Sequence, residues 1–304
     1  PYTVAKKTAK FIGKNIGNYD TNSLFKDISL VINLFKSNDE KKVVHYLNAE
    51  RDIRLAISLF SKKKNVKFIA TFHKPPKVLK KIISKTKYLK KLDAAIVVGY
   101  NQKEFIKKWL KLEKVFYIPH GVDTKFFKPN YTIRSTNKKN ILFVGQHLRD
   151  FDIFNNTIAL LLKENNDFSV NIILKKEYVR KIISHPKVSV VSGISDKKLC
   201  KYYQSSHLLF LPFNDVTACN SLLEGISCGL PVVTTDIGGN KEYLKKTSNI
   251  LVEKKGTPEM YKNAIISLIE KDKDLSVSKA SRKKSLEYRW ELIANLLEDV
   301  YLKL

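Results

Sequence analysis

Two kinds of segment alternate along most of this chain. Short apolar runs, many of them rich in β-branched residues, are separated by longer stretches whose apolar residues recur at helical spacing. The short runs predict buried strands, and the longer stretches predict helices. The predicted strands are 43–47, 66–72, 94–98, 115–119, 141–145, 170–174, 188–193, 208–212, 231–235 and 249–253. The predicted helices are 51–61, 77–91, 101–111, 152–164, 196–205, 257–270 and 285–304.

The order of these elements predicts the fold class. Strands that alternate with helices favour a parallel, doubly wound α/β sheet, and this chain contains two such series. Between the two series, residues 119–140 include Pro119, Gly121 and Pro129 among many polar residues, which is typical of a linker. We therefore expect two Rossmann-like domains, with ligands bound at the carboxyl ends of their strands.

The segment 219–244, CNSLLEGISCGLPVVTTDIGGNKEYL, has two interpretations. In the first, Asn220 or Ser221 begins a short helix, and Ser221 and Glu224 have the spacing of a capping box. In the second, the helix N-terminus around 220–222 binds a diphosphate, because unpaired amides and the helix dipole favour an anion there. Glu224, one turn further along, would then accept two hydrogen bonds from a vicinal diol such as a ribose.

Polar residues also follow the predicted strand 141–145. Gly145 lets a ligand approach the backbone, and Arg149 can bind a phosphate, although a surface position for Arg149 is the alternative. Asp150 and Asp152 have a spacing that can hold a divalent ion. However, Asp152 suits a helix N-cap and no other acidic residues cluster nearby, so no metal site is predicted.

Histidines supply two further candidates. His73 directly follows the predicted strand 66–72, where its side chain would face a cleft between the domains. A single histidine is more commonly structural, and both interpretations of His73 remain open. His147 holds a similar position in the second series. The other histidines have no spacing that suggests a metal site.

The charge of the chain raises the question of its partner. The formal net charge is +27, and most of the excess lies in residues 1–130 and is lysine. A basic half could attract nucleic acid, an anionic membrane or a phosphorylated substrate, and a solvated lysine-rich surface is the alternative. A nucleic-acid-binding protein would interleave aromatic residues with its basic residues, whereas the basic run 77–92 contains Tyr88 as its single aromatic residue.

The run 77–92 itself has two interpretations. Its apolar residues recur at near-helical spacing, and lysines occupy most of the other positions. The pattern predicts either a basic amphipathic helix on an anionic membrane or a surface helix whose apolar face packs on the first sheet. No apolar run reaches the roughly 18 residues of a membrane span, and the cysteines lack metal spacing. We expect a cytoplasmic protein, with any membrane contact peripheral to the inner face.

Taken together, several segments resemble the retaining glycosyltransferases of family 4, also described as glycosyl transferases group 1. The resemblance covers about residues 43–304. It rests on YIPHGVDTKFFKP (117–129), ILFVGQHLRDFD (141–152), VVSGISDKKLCKYYQSSHLLFLPF (190–213), NSLLEGISCGLPVVTTDIGGNKEYL (220–244) and RWELIANLLEDVY (289–301). The resemblance implies the GT-B fold, in which two Rossmann-like, doubly wound α/β domains have a cleft between them.

The resemblance also implies a domain map and an activity. Residues 1–122 would form the acceptor-side domain, with its first strand expected to be missing, and residues 123–284 would form the donor domain. Residues 285–304 would form a helix that packs back toward the N-terminal domain. The implied activity is transfer of a sugar from a nucleotide-diphosphate sugar to a glycan, lipid-linked or protein acceptor, with retention of configuration. No cofactor or metal is expected.

Several site residues are carried over from the resemblance. Glu224 matches the second glutamate of the family's E-x7-E motif, which binds the nucleotide ribose. Asn220, Ser221 and Leu222 match the backbone segment near the sugar and the diphosphate. Val216 occupies the position of the first glutamate, which normally meets the sugar hydroxyls, so the resemblance does not identify the donor sugar.

The remaining site residues lie in other loops. Gly193 and Ile194 match the nucleobase region, and His73 matches the acceptor-domain histidine near the donor sugar. The loop implied to bind the diphosphate contains Gly145, Gln146, His147 and Arg149. The lysine usual in this loop is absent, and Lys175 could assist Arg149. The catalytic residues implied are His73, Arg149 and Glu224. The alternatives are a catalytically impaired nucleotide-sugar-binding protein of the same fold and, more remotely, a basic nucleic-acid-binding protein.

Overall fold

A computed structural model describes residues 2–14, 17–36, 40–134, 138–164 and 167–304 of the chain. The chain divides into two compact units. The first unit contains Pro1–Pro119 together with Ala294–Leu304, and the second contains His120–Ile293. The sequence prediction places the corresponding boundaries after residues 122 and 284.

The first unit is built on a four-stranded parallel sheet in the order β1-β2-β3-β4. Its strands are β1 (Lys42–Tyr46), β2 (Val66–Phe72), β3 (Ala94–Val97) and β4 (Val115–Tyr117). Its helices are α1 (Tyr2–Gly13), α2 (Thr21–Lys36), α3 (Leu55–Phe60), α4 (Pro76–Ile82) and α5 (Lys103–Leu110). The two central strands are almost entirely buried, as expected of a parallel sheet covered on both faces.

The second unit is built on a six-stranded parallel sheet in the order β10-β9-β8-β5-β6-β7. Its strands are β5 (Lys139–Val144), β6 (Phe168–Ile173), β7 (Val188–Val191), β8 (Leu208–Leu211), β9 (Val232–Thr235) and β10 (Ile250–Val252). Its helices are α6 (Phe151–Glu164), α7 (Asp196–Ser205), α8 (Asn220–Ser227), α9 (Asn240–Leu244), α10 (Pro258–Lys271), α11 (Ser276–Ser285) and the start of α12 (Trp290–Leu302). Strand order reverses at β5, which pairs with both β6 and β8.

The strand predictions are confirmed. Each predicted strand is present, and its bounds lie within about two residues of the prediction. The reason for the central strands is that burial on both faces keeps an unbroken apolar run. The edge strands β1 and β7 are only partly buried, but they too are rich in valine. Among the described residues, no helix has both the length and the apolar character needed to cross a bilayer.

The single helix predicted over 77–91 is wrong. The helix α4 ends at Ile82, Ile83 has an extended backbone, and a short 3₁₀ turn spans Leu89–Lys91. The amide of Gly17 donates a hydrogen bond of 3.0 Å to the carbonyl of Ile82. In a continuing helix this carbonyl would accept a hydrogen bond from the next turn. Here it accepts from Gly17, which is distant in the sequence.

Among the described residues, the helices α1, α2 and α11 lie in stretches for which the sequence analysis proposed no helix. The buried face of α11 includes Ser278, Ser281 and Ser285, so apolar periodicity could not reveal this helix. The helix predicted over 285–304 begins only at Trp290, after a 3₁₀ turn at Leu286–Tyr288.

The loop after β9 packs tightly against the loop after β8. Gly238 has a φ of +59°, in the left-handed region that favours glycine. A Cβ at Gly238 would lie 1.8 Å from the carbonyl oxygen of Val216, and a Cβ at Gly239 would lie 2.1 Å from that of Thr217. The two glycines therefore allow the close approach that holds the loop after β8 at the edge of the sheet.

We predict that Gly238→Ala destabilises the protein more than Gly193→Ala does. Both glycines have positive φ, at +59° and +67°, which costs an L-residue about 1–2 kcal/mol. An added Cβ at Gly193 meets nothing within 4 Å, so the difference between the variants reports the overlap with Val216. Denaturant unfolding followed by circular dichroism measures both free energies of unfolding. Equal losses would contradict the tight contact between the loops.

Candidate functional site

A cavity of about 410 Å³ lies beside the carboxyl ends of β5 and β8 in the second unit. The loop after β5, the loop after β8 and the N-terminus of α8 form most of its wall. The lining residues are His120, residues 145–149, Phe213 and residues 215–221. The cavity therefore lies where strand order reverses, which is the usual ligand-binding position in an open α/β sheet.

The loop after β5 turns at Gly145, whose φ is +85°. A Cβ at this position would come within 3.2 Å of Nη2 of Arg149, so glycine suits both the turn and the approach of that side chain. Gln146 Oε1 accepts a long hydrogen bond of 3.4 Å from the amide of Lys175, which joins the loop to the end of β6. The carbonyl of His147 accepts a long hydrogen bond from Arg149. Gly145, Gln146 and His147 thus form one side of the cavity.

Arg149 is buried and joins the two sides of the cavity. Its Nη2 donates to the carbonyl of Val144 at 2.8 Å and to Oγ of Ser221 at 2.7 Å. The guanidinium carbon lies 4.1 Å from the ring centre of Phe213. These contacts tie the carboxyl end of β5 to the first turn of α8, and they bring a positive charge to the cavity wall.

The N-terminus of α8 does not have the capping box that the sequence allowed. The N-cap residue is Cys219, and its side chain makes no capping hydrogen bond. Ser221 instead accepts from Arg149, and the side chain of Leu222 is fully buried, so Leu222 can offer only its backbone to a ligand. Asn220 and Ser221 line the cavity at the positive end of the helix dipole. The capping-box interpretation is therefore wrong.

Glu224 lies one turn into α8 and does not line the cavity. Its Oε2 accepts a hydrogen bond of 2.8 Å from the hydroxyl of Tyr203, a fully buried residue of α7. Burial raises the pKa of the Glu224 carboxyl above its usual value, the hydrogen bond from Tyr203 opposes that shift, and the charge of Asp196 adds to it. The carboxylate is therefore held on the side of α8 that faces α7.

Gly193 and Ile194 lie in the loop between β7 and α7. Gly193 has a positive φ of +67° and open space where a Cβ would be, and Ile194 is partly buried. Ser195 caps α7 by accepting from the amide of Lys198. This loop therefore leads into α7, the helix whose Tyr203 donates the hydrogen bond to Glu224.

Sequence reasoning missed two residues that shape this site. His120 Nδ1 donates to Oδ1 of Asn220 at 2.8 Å, and the amide of His120 donates to the hydroxyl of Tyr243. Sequence analysis tested His120 for metal spacing alone. The sequence gives no indication of a role for Tyr203, because its hydroxyl reaches Glu224 only when α7 packs beside α8.

His73 lies in the first unit, at the end of β2. Its Nε2 donates to the carbonyl of Leu47 at 2.8 Å. The buried Glu50 accepts from the amides of His73 and Lys74 through Oε1, at 2.7 and 2.8 Å. Gln102 donates to the carbonyls on both sides of His73. The backbone that presents His73 is thus held by two buried polar side chains.

No group of three or more metal-binding side chains occurs in the part of the chain that the structure describes. Of the two aspartates after the β5 loop, Asp150 caps α6 by accepting from the amide of Ile153 at 3.0 Å. Asp152 lies inside the first turn of α6, so its predicted role as the N-cap is wrong.

The second unit matches a known family. Residues 138–271 match the family model described as Glycosyl transferases group 1. Over 221 residues, the chain is 25% identical to a phosphatidylinositol N-acetylglucosaminyltransferase component from Arabidopsis thaliana, covering 69% of this chain and 49% of that protein. Over 223 residues, it is 27% identical to a probable sucrose-phosphate synthase of Thermosipho melanesiensis, covering 66% and 51%. The chain thus spans about half the length of these curated relatives.

Solved structures share the fold at low sequence identity. HepE of Anabaena, solved in complex with UDP-glucose, has a TM-score of 0.71 at 10% identity, covering 91% of this chain and 82% of that one. A glycosyltransferase of Rickettsia africae has a TM-score of 0.70 at 18% identity, covering 92% and 81%. The fold shared with these structures is GT-B. Residues 138–271 are therefore a glycosyl transferases group 1 domain, in a chain with the GT-B fold.

Proposed function

We propose that this chain transfers a sugar from a nucleotide-diphosphate sugar to an acceptor, with retention of configuration and without a metal ion. The observation that carries this proposal is the buried guanidinium of Arg149 at the cavity wall. Its described hydrogen bonds go to carbonyl oxygens, a hydroxyl and a thiol, and none goes to a carboxylate. A buried cation without a counter-ion is costly, so the site favours an anionic ligand.

The N-terminus of α8 supports the same ligand. Amides at a helix N-terminus and an adjacent arginine form a positive field that suits a diphosphate. HepE, which shares the fold, was solved in complex with UDP-glucose, and this supports a nucleotide sugar as the donor. In this arrangement the diphosphate binds between the Gly145 turn and Asn220–Leu222, with Gln146 and His147 beside it.

The mechanism uses no nucleophile from the protein. Among the described residues of the cavity wall, Asp215 is the only one with a carboxylate, and its Oδ1 accepts from the amide of Val216 at 2.9 Å. As the acceptor oxygen bonds to the anomeric carbon, the bond to the diphosphate breaks on the same face, and the diphosphate takes the acceptor proton. The chain contributes positioning and stabilises the negative charge that develops on the diphosphate.

Three further roles complete the proposed site. Glu224 accepts hydrogen bonds from the ribose diol, with Tyr203 holding its carboxylate in place. The nucleobase lies at Gly193 and Ile194, in the loop that leads into α7. His73 is the catalytic residue proposed for the first unit, on a backbone held by Glu50.

The acceptor proposed here is lipid-linked. The name of the Arabidopsis relative contains phosphatidylinositol, and a lysine-rich first unit suits an anionic membrane surface. We place the protein in the cytoplasm, at the inner face of a membrane, and do not propose nucleic acid as a partner.

The second candidate function is nucleotide-sugar binding without turnover. Val216, at the position where the family has the glutamate that meets the sugar, is 4% exposed and belongs to the apolar core of the second unit. A site that lacks this carboxylate could bind the nucleotide and still fail to orient the sugar.

Turnover separates the two candidates. Without an acceptor, we expect slow hydrolysis of at least one uridine, guanosine or adenosine diphosphate sugar, with a rate that EDTA leaves unchanged. Chromatographic detection of free nucleoside diphosphate measures this rate. A ligand-induced thermal shift without hydrolysis would favour the binding protein, and no shift with any of these sugars would contradict both candidates.

Glu224→Gln should weaken nucleotide binding while stabilising the free protein at neutral pH. Because burial raises the pKa of Glu224, its ionisation costs folding free energy once the pH rises through the folded-state pKa. The variant's advantage in stability should therefore disappear as the pH falls below the ordinary carboxyl range. Melting curves with and without nucleoside diphosphate measure both effects.

Tyr203→Phe is the matched control for Glu224→Gln. It removes the donor of the hydrogen bond to residue 224 and keeps the carboxylate, whereas Glu224→Gln keeps an acceptor and removes the charge. Tyr203→Phe should therefore lose about 1.5–3 kcal/mol of stability and retain most of the ligand-induced shift. A ligand-induced shift that Glu224→Gln leaves intact would exclude the ribose contact.

Arg149→Ala should weaken nucleoside diphosphate binding at least tenfold and bare nucleoside binding much less. A charge-assisted contact with a phosphate contributes about 1.5–3 kcal/mol, and about 1.4 kcal/mol corresponds to tenfold. Ser221→Ala removes one partner of Arg149 but keeps the charge and the α8 backbone, so it controls for the loss of packing. Calorimetric titration gives both affinities. Equal losses for the two ligands would rule out the phosphate contact.

A further inference from the structure

The first unit exposes an apolar stripe on helix α2. Phe25, Ile28, Ile32 and Phe35 are 53%, 39%, 48% and 59% exposed. At 3.6 residues per turn, these four side chains fall within an arc of about 80° on one side of the helix. The far side of α2 is already used, because Asp27 and Leu34 are buried there. Phe35, at the border of the stripe, also packs edge-on against the buried Phe60, with ring centres 4.8 Å apart. The stripe is thus a second apolar face, in addition to the one that anchors α2.

Helix α1 contacts α2 and exposes apolar side chains of its own. Val4 and Phe11, seven residues apart and on one face of α1, are 67% and 84% exposed. The helix is held on its other side, where Ala9 is buried. Together the six side chains Val4, Phe11, Phe25, Ile28, Ile32 and Phe35 form what we call the α1–α2 surface. Large apolar side chains exposed on two helices in contact are typical of an interaction site.

The charge around the α1–α2 surface has one sign. The exposed lysines of this stretch are Lys6, Lys7, Lys10, Lys14, Lys26 and Lys36. The two aspartates of the described residues 2–36 are engaged elsewhere. Asp27 is buried and accepts from the amide of Ala56 at 2.9 Å. Asp20 accepts from the amide of Ser23 and pairs with Arg51. Large apolar side chains among lysines are typical of helices that lie in the interface of an anionic membrane.

The stretch 77–92, for which the sequence allowed membrane contact, is a poorer candidate. Its residues Leu79, Ile83 and Leu89 are at most 1% exposed and belong to the core of the first unit. The lysines there can attract a membrane, but no apolar face remains to enter it. The α1–α2 surface has both components.

We propose that the α1–α2 surface docks this chain onto an anionic lipid membrane, with its phenylalanines entering the headgroup region and its lysines against the lipid phosphates. The purpose of this docking rests on the proposed function, because a lipid-linked acceptor requires the transfer site to work at a membrane. A second copy of the chain is a poor occupant, since a two-fold interface would bring the same lysines face to face.

Cosedimentation of the whole chain with vesicles tests the docking. The protein should bind vesicles of phosphatidylcholine and phosphatidylserine, and not vesicles of phosphatidylcholine alone, with binding that weakens steeply as salt rises. Phe11→Ser combined with Phe25→Ser should reduce the affinity for these vesicles at least tenfold, because two aromatic side chains that enter the headgroup region are lost. Both side chains are exposed, so circular dichroism should show an unchanged fold.

Charge reversal at two places provides the matched comparison. Lys6→Glu, Lys7→Glu and Lys10→Glu together should abolish vesicle binding, whereas Lys80→Glu, Lys81→Glu and Lys85→Glu make the same change of charge and should retain most of it. The reverse result would assign binding to the stretch 77–92 and overturn the proposal. Absence of binding to anionic vesicles at low salt would also overturn it, as would light scattering showing a dimer that the phenylalanine variants dissociate.

Hydrolysis of nucleotide sugar in solution, without vesicles, keeps the two proposals separate. An enzyme that turns over its donor but ignores anionic vesicles would contradict the docking alone. A protein that binds vesicles through the α1–α2 surface but neither binds nor cleaves a nucleotide sugar would contradict the proposed function alone.

Discussion

The buried guanidinium of Arg149 is the constraint on which the candidate site depends. It joins the end of β5 to the start of α8 through Val144 and Ser221, and it packs on the ring of Phe213. These partners are neutral, so they fix the geometry of the guanidinium without cancelling its charge. A positive charge held in this way is already positioned before a ligand arrives, and this is the condition under which electrostatic stabilisation is most effective.

Glu224 supplies the opposite charge in a different direction. Its carboxylate points to Tyr203 on α7, whereas Ser221, one turn earlier in α8, accepts from Arg149. Within one turn of α8, Glu224 thus provides an anionic hydrogen-bond acceptor and Ser221 contacts the cationic Arg149. A nucleoside diphosphate also carries two groups of this kind, a diol at the ribose and negative charge at the phosphates. The raised pKa of Glu224 shows that its surroundings penalise the free carboxylate, and diol hydroxyls would relieve that penalty.

The first unit contains a loop around His73 that is held by buried hydrogen bonds, and an apolar surface on α1 and α2 that is exposed. Glu50 and Gln102 hold the backbone around His73 from both sides, so the position of His73 is set by buried hydrogen bonds. The helices α1 and α2 bury one face and leave another apolar face exposed among lysines. Buried polar groups need partners and large exposed apolar groups favour a cover, so the first unit has its polar groups satisfied around His73 and its apolar groups unsatisfied on α1 and α2.

The sequence by itself determined the strands and the α/β class, and it singled out several residues that line the cavity. Apolar runs of β-branched residues report strands directly, because burial on both faces leaves no polar positions to interrupt them. Gly145, which ends a predicted strand, and Asn220–Ser221, which begin the helix after another, could be placed at the carboxyl edge of the sheet for the same reason. Tertiary structure alone decided how the side chains pair. Ser221 accepts a hydrogen bond from Arg149, although the sequence allowed a capping box with Glu224. The carbonyl of Ile82, where α4 ends, accepts from the amide of Gly17, and the serines of α11 are buried. Each of these outcomes depends on a partner distant in sequence, and local spacing carries no information about which distant group will satisfy a donor, an acceptor or a buried face.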